Sequence, residues 1–408
     1  MARRGKLRYT ESMNFRMDKL IIVFGEALDI VEGEILGSST HHGKRIAVLC
    51  AAMGRKMGMG KDRLITLVCC ALLHDNALTE YVMAEQRGAF RDPAMKLHCE
   101  YGQRNIGSLE FPGDIRDLIL YHHERADGSG PYGKTDYPFD AELIGIADEV
   151  DVNWHLQRRS PEEIPEIAEY IRRSCRFFPE TQSLFMSVLD GDMLLSLRDG
   201  EISKTVEKLI PPWEMDNANP RLPEITAFMG RVIDYKSVFT QIHSSGIVEK
   251  ALIMADYYGR GTSERNLLSL AANLHDIGKL AVPTEILEKP GKLSPEEFQE
   301  IAAHARKTAE LLAGLESCPG GLNEVRIWAS NHHEKLDGSG YPLGKTGAEL
   351  DFNSRLLACL DIYQAVREER PYHPARDHGS AMEILRGMAD KGAIDGGIAG
   401  DIGRALAP

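Results

Sequence analysis

The feature that most constrains this chain is that it repeats itself. His42 stands 32 residues before His74-Asp75, and His243 stands 32 residues before His275-Asp276. Apolar positions keep the same register: Ile46, Cys50, Met53 and Met57 answer to Ile247, Ala251, Met254 and Tyr258, a spacing that traces one face of a helix. Gly58 and Gly259 follow, where helix-ending glycines belong. The next predicted helix carries Cys69, Cys70 and Leu73 in one copy and Leu270, Ala271 and Leu274 in the other, and each ends at its His-Asp pair. His98 and His304 come next. The helix of His304 has a start signal in Ser294-Pro295-Glu296-Glu297, a capping box with proline at the first helical position; Asp92-Pro93 offers a start for the helix of His98. Both copies then reach a His-His-Glu and a glycine-rich turn, HHERADGSG at 122–130 and HHEKLDGSG at 332–340, and an apolar run that ends in Asp148 or Asp361.

Almost every segment reads as helix, so the expected fold is all-α, with two related helical-bundle domains in tandem. The proline-rich polar stretch at 210–222 reads as the linker between a domain at 1–209 and one at 223–408. The basic start MARRGK is followed by no apolar signal core, and no apolar run is long enough to cross a bilayer. The expectation is a cytoplasmic protein without a membrane partner. A net charge of −13 argues against long nucleic acid as a partner, while leaving room for a small anion received by local cations. The seven cysteines form no C-x-x-C pair and sit in apolar helical patterns, so they read as small buried hydrophobes of a reducing compartment.

Five imidazoles and two carboxylates recur in fixed order in the second copy: His243, His275, Asp276, His304, His332, His333 and Asp361. A single histidine on an apolar face is more often a satisfied core residue than a ligand. Here ten of the fourteen histidines fall at matching positions in the two copies, which packing alone does not explain. Imidazole with carboxylate suits borderline metals: iron, manganese, nickel or zinc. Neighbours on a helix point about 100° apart, so His275 and Asp276 share a metal only near a helix end or with metals on two sides. A carboxylate has two oxygens and can bridge two cations.

These motifs resemble the HD-GYP family, a branch of the HD phosphohydrolases. The resemblance rests on His243, HDIGK at 275–279, His304, HHEKLDGSGYP at 332–342, Asp361 and Arg370-Pro371-Tyr372, and spans essentially all of 223–408. It implies a helical bundle holding metals, usually iron or manganese, and hydrolysis of a cyclic dinucleotide, above all cyclic di-GMP, to a linear dinucleotide or GMP. It also implies that His243, His275, Asp276 and Asp361 hold one metal, and that Asp276 bridges to a second held by His304, His332 and His333. Two cations roughly 3.5–4 Å apart would activate a bridging hydroxide for in-line attack on phosphorus. Asp276 and Lys279 would be the catalytic residues, with Lys279, Arg370 and Tyr341 on the substrate; signalling proteins of the GGDEF type would be partners. Some family members have a glutamate four residues before the first histidine and a third metal. Here that position is Phe239, so two metals are expected.

The first copy keeps a full set, His42, His74, Asp75, His98, His122, His123 and Asp148, which by ligand count defines a second metal site. His41 competes with His42, and spacing to the following helix favours His42. HDIGK has become HDNAL, so Leu78 replaces the lysine; GSGYP has become GSGPY, with Pro131 in the tyrosine's place; and Gln157 stands where the other copy has Arg370. The favoured reading is a metal-binding regulatory or structural domain. The other is hydrolysis of a different phosphate ester, with Arg158 or Arg159 compensating. For the whole chain the alternatives to a cyclic di-GMP phosphodiesterase are hydrolysis of another nucleotide (cyclic GMP-AMP, an alarmone, a nucleoside phosphate) and a non-catalytic signalling scaffold.

Overall fold

A computed structural model describes residues 13–36, 41–78, 80, 94–236, 243–289, 291–368 and 375–407. The fold divides into two compact units, one spanning Met17–Trp213 and the other Glu214–Pro408 together with the N-terminal strand. Among the described residues nearly all regular structure is helical. The exception is a short antiparallel pair, β1 (Asn14–Arg16) with β2 (Glu214–Asp216), in register Phe15 opposite Met215. By the boundaries expected from sequence, these two strands fall in the first domain and in the linker.

In the unit Met17–Trp213 the helices that matter for the site are α1 (Met17–Leu36), α2 (His42–Lys56), α3 (Lys61–Leu72), α4 (Ala94–Ile106) and α5 (Phe139–Trp154). The second unit uses α6 (Leu222–Asp234), α7 (His243–Tyr257), α8 (Thr262–Leu274), α9 (Pro295–Leu311), α10 (Leu322–Ser330) and α11 (Phe352–Arg367). The predicted apolar stripes face inward: Ile46, Cys50 and Met53 on α2 are fully buried, as are Ile247, Ala251 and Met254 on α7. Met57 departs from the stripe, standing 43% exposed at the helix end. Each buried Ile, Leu or Met side chain contributes about 1.5–3 kcal/mol of burial free energy, so these stripes fix how α2 packs on α3 and α7 on α8.

The helix ends follow their sequence signals. Gly58 and Gly259 adopt left-handed φ of 70° and 64°, which costs a glycine little. Ser294 caps α9 and Glu297 closes the capping box. The helix bearing each domain's first histidine is also capped from the preceding helix. Gly43 donates its N–H to Asp29 Oδ1 at 2.7 Å, and Ser244 donates its N–H to Asp234 Oδ2 at 3.0 Å. Five of the cysteines are buried as expected; Cys175 is exposed and Cys318 half-buried, so those two are not core residues. No described helix is long and apolar enough to cross a membrane.

One buried acid on α5 gives a pH test of this packing. Glu142 accepts the Phe178 N–H at 2.7 Å, yet burial pushes its carboxyl up to about 7. A carboxyl raised in the folded state contributes stability below its unfolded pKa, near 4.5, and that contribution is lost as pH rises through 7. Glu142→Gln is expected to melt a few degrees above the parent at pH 8, at roughly 2–4 °C per kcal/mol for a unit the size of Met17–Trp213. The gain should close by pH 4.5 in a series of thermal melts. A gain independent of pH would show that the carboxyl charge is not the cause.

Candidate metal centres

The chain delivers the ligands of the second unit to one place from the ends of helices. His243 is the first residue of α7, and His275-Asp276 follow the last residue of α8. His304 lies within α9, His332-His333 lie just past α10, and Asp361 lies within α11. Leaving the helix after Leu274 lets the backbone turn, so His275 and Asp276 aim at a common point. Gly278 lets α9 pack against this segment: a Cβ there would stand 2.0 Å from the His304 carbonyl oxygen.

Asp276 is the hinge of the cluster. Its Oδ2 lies 3.2 Å from His275 Nε2 and 3.8 Å from His243 Nε2. Its Oδ1 lies 3.3 Å from His304 Nε2 and 3.8 Å from His332 Nε2. One carboxylate thus turns an oxygen to each of two histidine sets. Asp361 does likewise with one histidine of each set, its Oδ1 3.2 Å from His243 Nε2 and its Oδ2 3.5 Å from His333 Nδ1. Two groups of metal-ligand spacing result: His243, His275 and Asp276, and His304, His332 and His333.

Electrostatics prepare these groups for a cation. Burial, helped by the charges of Lys279 and His333, pushes the His304 imidazole down to about 3 against the pull of Asp276. Burial and the neighbouring imidazoles hold His332 well below its ordinary value. Burial would raise the Asp276 carboxyl, but the charges of His275 and Lys279 outweigh it and hold the group well below the carboxylate range. His304 and His332 are therefore neutral and Asp276 ionised at neutral pH, the forms that bind metal. Burial would lower His243, but hydrogen bonds to Asp361 and Glu368 outweigh it and push the imidazole up to about 9, so that it releases a proton when a cation binds. Buried His275 Nε2 has no hydrogen-bond partner, which an ion in the cluster would supply. On these grounds the residues fit divalent metal.

The first unit assembles its own set. His42 Nε2 lies 3.2 Å from Asp148 Oδ1, His98 Nε2 3.2 Å from Asp75 Oδ1, His74 Nε2 3.5 Å from Asp75 Oδ2 and His123 Nδ1 3.7 Å from Asp148 Oδ2. His42, His74 and Asp148 form one group of ligand spacing, and Asp75, His98, His122 and His123 form the other. The Nε2 atoms of His74, His98 and His122 are buried without a hydrogen bond. His42, and not His41, enters the cluster.

The surroundings of the two centres differ. Lys279 Nζ lies 2.6 Å from Asp276 Oδ2, whereas Leu78 at the matching position is a buried apolar side chain. Glu32 on α1 places Oε1 3.8 Å from His42 Nε2, while the sequence between Asp234 and His243 holds no acid. Arg159, the other candidate for a compensating cation beside Arg158, pairs with Glu163 at 2.8 Å. Gln157 is buried. Arg370 and Phe239 lie outside the described residues, as do Asp92 and Pro93.

The glycine loop has a clear mechanical cause. Glu334, the acid of His-His-Glu, accepts the N–H groups of Leu343 at 2.7 Å and Lys345 at 2.8 Å. It pins the loop, and Gly340, where a Cβ would stand 2.4 Å from the Lys335 nitrogen, lets it close. Tyr341 is thereby laid against His333, ring centroids 4.8 Å apart. Glu124 pins the first unit's loop alike, through the N–H groups of Tyr132 and Lys134. With proline and tyrosine exchanged, Tyr132 instead donates its hydroxyl to the Lys96 carbonyl at 3.0 Å.

An HD domain family model matches residues 40–177, and a second HD domain model matches residues 229–398. 3′3′-cGAMP-specific phosphodiesterase 1 of Vibrio cholerae serotype O1 is 28% identical over 407 residues, covering 94% of this chain and 90% of that protein. 3′3′-cGAMP-specific phosphodiesterase 3 of the same organism is 32% identical over 323 residues, covering 76% and 67%. A crystal structure of a cyclic GMP-AMP specific phosphodiesterase of V. cholerae is similar in fold, with TM-score 0.66 and 23% identity over 97% of this chain and 99% of that one. The chain belongs to the HD-GYP family and carries two HD domains in tandem.

Proposed function

We propose that the C-terminal domain is a metal-dependent phosphodiesterase that opens a cyclic dinucleotide to a linear dinucleotide or its mononucleotides. The observation that carries this reading is the Asp276 carboxylate, with one oxygen toward His243 and His275 and the other toward His304 and His332. Divalent metals bound there would acidify water and neutralise phosphate charge. Iron or manganese is the metal the family resemblance implies, and the imidazole and carboxylate donors suit nickel or zinc as well. In this reading His243, His275, Asp276 and Asp361 hold one metal and His304, His332 and His333 the other, with Asp276 shared. Lys279 brings an ammonium to the same pole and receives a phosphate oxygen, in a protein whose net charge of −13 otherwise repels anions. Tyr341, lying on His333, offers a ring for a base or sugar at the rim. A cytoplasmic location belongs to the same reading.

The sequence motifs alone put cyclic di-GMP first. Two relatives that align along most of this chain bear names specifying 3′3′-cGAMP, which favours that hybrid dinucleotide as the substrate. The N-terminal domain, with its complete ligand set and no lysine at Leu78, is read as a metal-binding regulatory domain. The test is hydrolysis by the full chain loaded with manganese or iron, with 3′3′-cGAMP and cyclic di-GMP as parallel substrates and products separated by chromatography. The expected result is kcat/KM for 3′3′-cGAMP at least about tenfold above that for cyclic di-GMP, a margin of roughly 1.4 kcal/mol. Preference for cyclic di-GMP would overturn the substrate, and metal binding without cleavage of either would leave the scaffold reading.

A further inference from the structure

Seven of the ten histidines of the two centres are oriented in one of two ways. His74, His122, His275, His304 and His332 each donate Nδ1–H to a backbone carbonyl three residues earlier: Ala71, Ile119, Ala272, Ile301 and Ala329, at 2.6–2.9 Å. Each of these histidines has a turn of chain before it to supply that carbonyl. His42 and His243 are the first residues of their helices. Their Nδ1 atoms meet carboxylates from distant chain instead, Asp151 Oδ2 at 2.7 Å and Glu368 Oε2 at 2.8 Å.

These two acids are not equivalent in the repeat. Asp151 stands three residues past Asp148, whereas Glu368 stands seven past Asp361. On a helix, positions three and seven along share a face with the starting residue, so a short acid one turn away and a longer acid two turns away reach the same nitrogen. Both are themselves held. Arg45 donates Nε–H to both oxygens of Asp151 at 2.9 Å, and Gln364 donates to Glu368 Oε1. Gly246 leaves room for that amide, since a Cβ there would stand 2.0 Å from Gln364 Nε2. With Nδ1 held by Glu368, the Nε2 edge of His243 faces Asp361 Oδ1, 3.2 Å away, and the ligand cluster.

We propose that Glu368, and Asp151 in the first domain, are positioning residues that fix the tautomer and ring angle of the first metal-ligating histidine and raise its basicity. The proposal rests on the metal-centre reading above and on no choice of substrate. A carboxylate behind a ligating imidazole is worth about 10–100-fold in metal affinity.

The experiment uses the full chain with Glu368→Ala and Glu368→Gln. Manganese affinity is measured by competition with a chelating indicator, and the cobalt(II) form gives a ligand-field spectrum. Glu368→Ala is expected to weaken one class of metal equivalents about 10–100-fold and to shift the cobalt spectrum. Glu368→Gln, whose amide oxygen still accepts from Nδ1–H but carries no charge, is expected to lose a smaller but measurable part of the affinity, a few-fold. Circular dichroism establishes that each variant is folded; should Glu368→Ala not fold, the metal affinity and spectrum of Glu368→Gln against Glu368→Asp decide the same question. Unchanged affinity and spectrum in a folded Glu368→Ala, or in both substitutes, would overturn the assignment. Metal affinity is read without any dinucleotide, so a failed substrate reading leaves this result standing.

Discussion

Asp276→Ala is expected to abolish hydrolysis of the cyclic dinucleotide, lowering kcat/KM by at least roughly 10³-fold, and to lose metal together with activity. The size of the effect follows from position. This carboxylate lies within 3.2–3.8 Å of four imidazoles, on α7 and α9 and just past the ends of α8 and α10, and so reaches across both halves of the cluster. Removing it leaves Asp361 as the one carboxylate among the proposed ligands, and the His304, His332 and His333 group loses the carboxylate oxygen that Asp276 turned to it. Asp75→Ala makes the matched change in the first domain, where Asp75 faces His74 and His98. That variant should lose its own share of metal while keeping turnover within about tenfold of the parent. Metal counted by elemental analysis beside turnover separates the cases. Activity that survives Asp276→Ala and disappears with Asp75→Ala would assign the chemistry to the other domain.

Much of this was legible in the sequence because histidine is rare and costly in a helical core, so a recurring ordered set stands out. The apolar registers of α2 and α7, the left-handed glycines 58 and 259 and the cap at Ser294 are local signals, and local chemistry decided them. What could not be read depends on partners far apart in the chain. The strand pair of 14–16 with 214–216 is three residues long on each side and two hundred residues distant, too short to carry a period. Glu368 and Asp151 hide because their offsets from the last aspartate differ, so alignment of the two copies never brings them together. Glu32 reaches His42 from a helix that precedes the repeated block. Glu334 and Glu124 were in plain view within His-His-Glu, but their task is to bind loop amides, a contact that sequence does not announce. The exchanged proline and tyrosine of the first copy showed that the loop differed; only the structure gave the consequence, a tyrosine turned to the Lys96 carbonyl.

Lys279→Met should move two readouts in opposite directions. The ammonium lies 2.6 Å from Asp276 Oδ2 and is 16% exposed, so it places a positive charge beside the carboxylate that both ligand groups share. Toward a metal that charge is repulsive, and its removal should leave the metal complement intact and tighten binding a few-fold. Toward a phosphodiester gathering negative charge on its oxygens the same ammonium is attractive. Its loss should lower kcat roughly 10²–10³-fold, the range found when one group stabilising a developing oxyanion is removed. Lys279→Arg keeps the charge on a bulkier, planar head, and should recover part of the rate without recovering all of it. Nature has made the apolar version of this change in the first domain, where Leu78 accompanies an otherwise complete ligand set. The measurement is metal affinity by competition and kcat at saturating metal and substrate on the same preparations. If Lys279→Met lost metal and rate together, the lysine would be a prop for Asp276; if kcat held, phosphate would be received elsewhere.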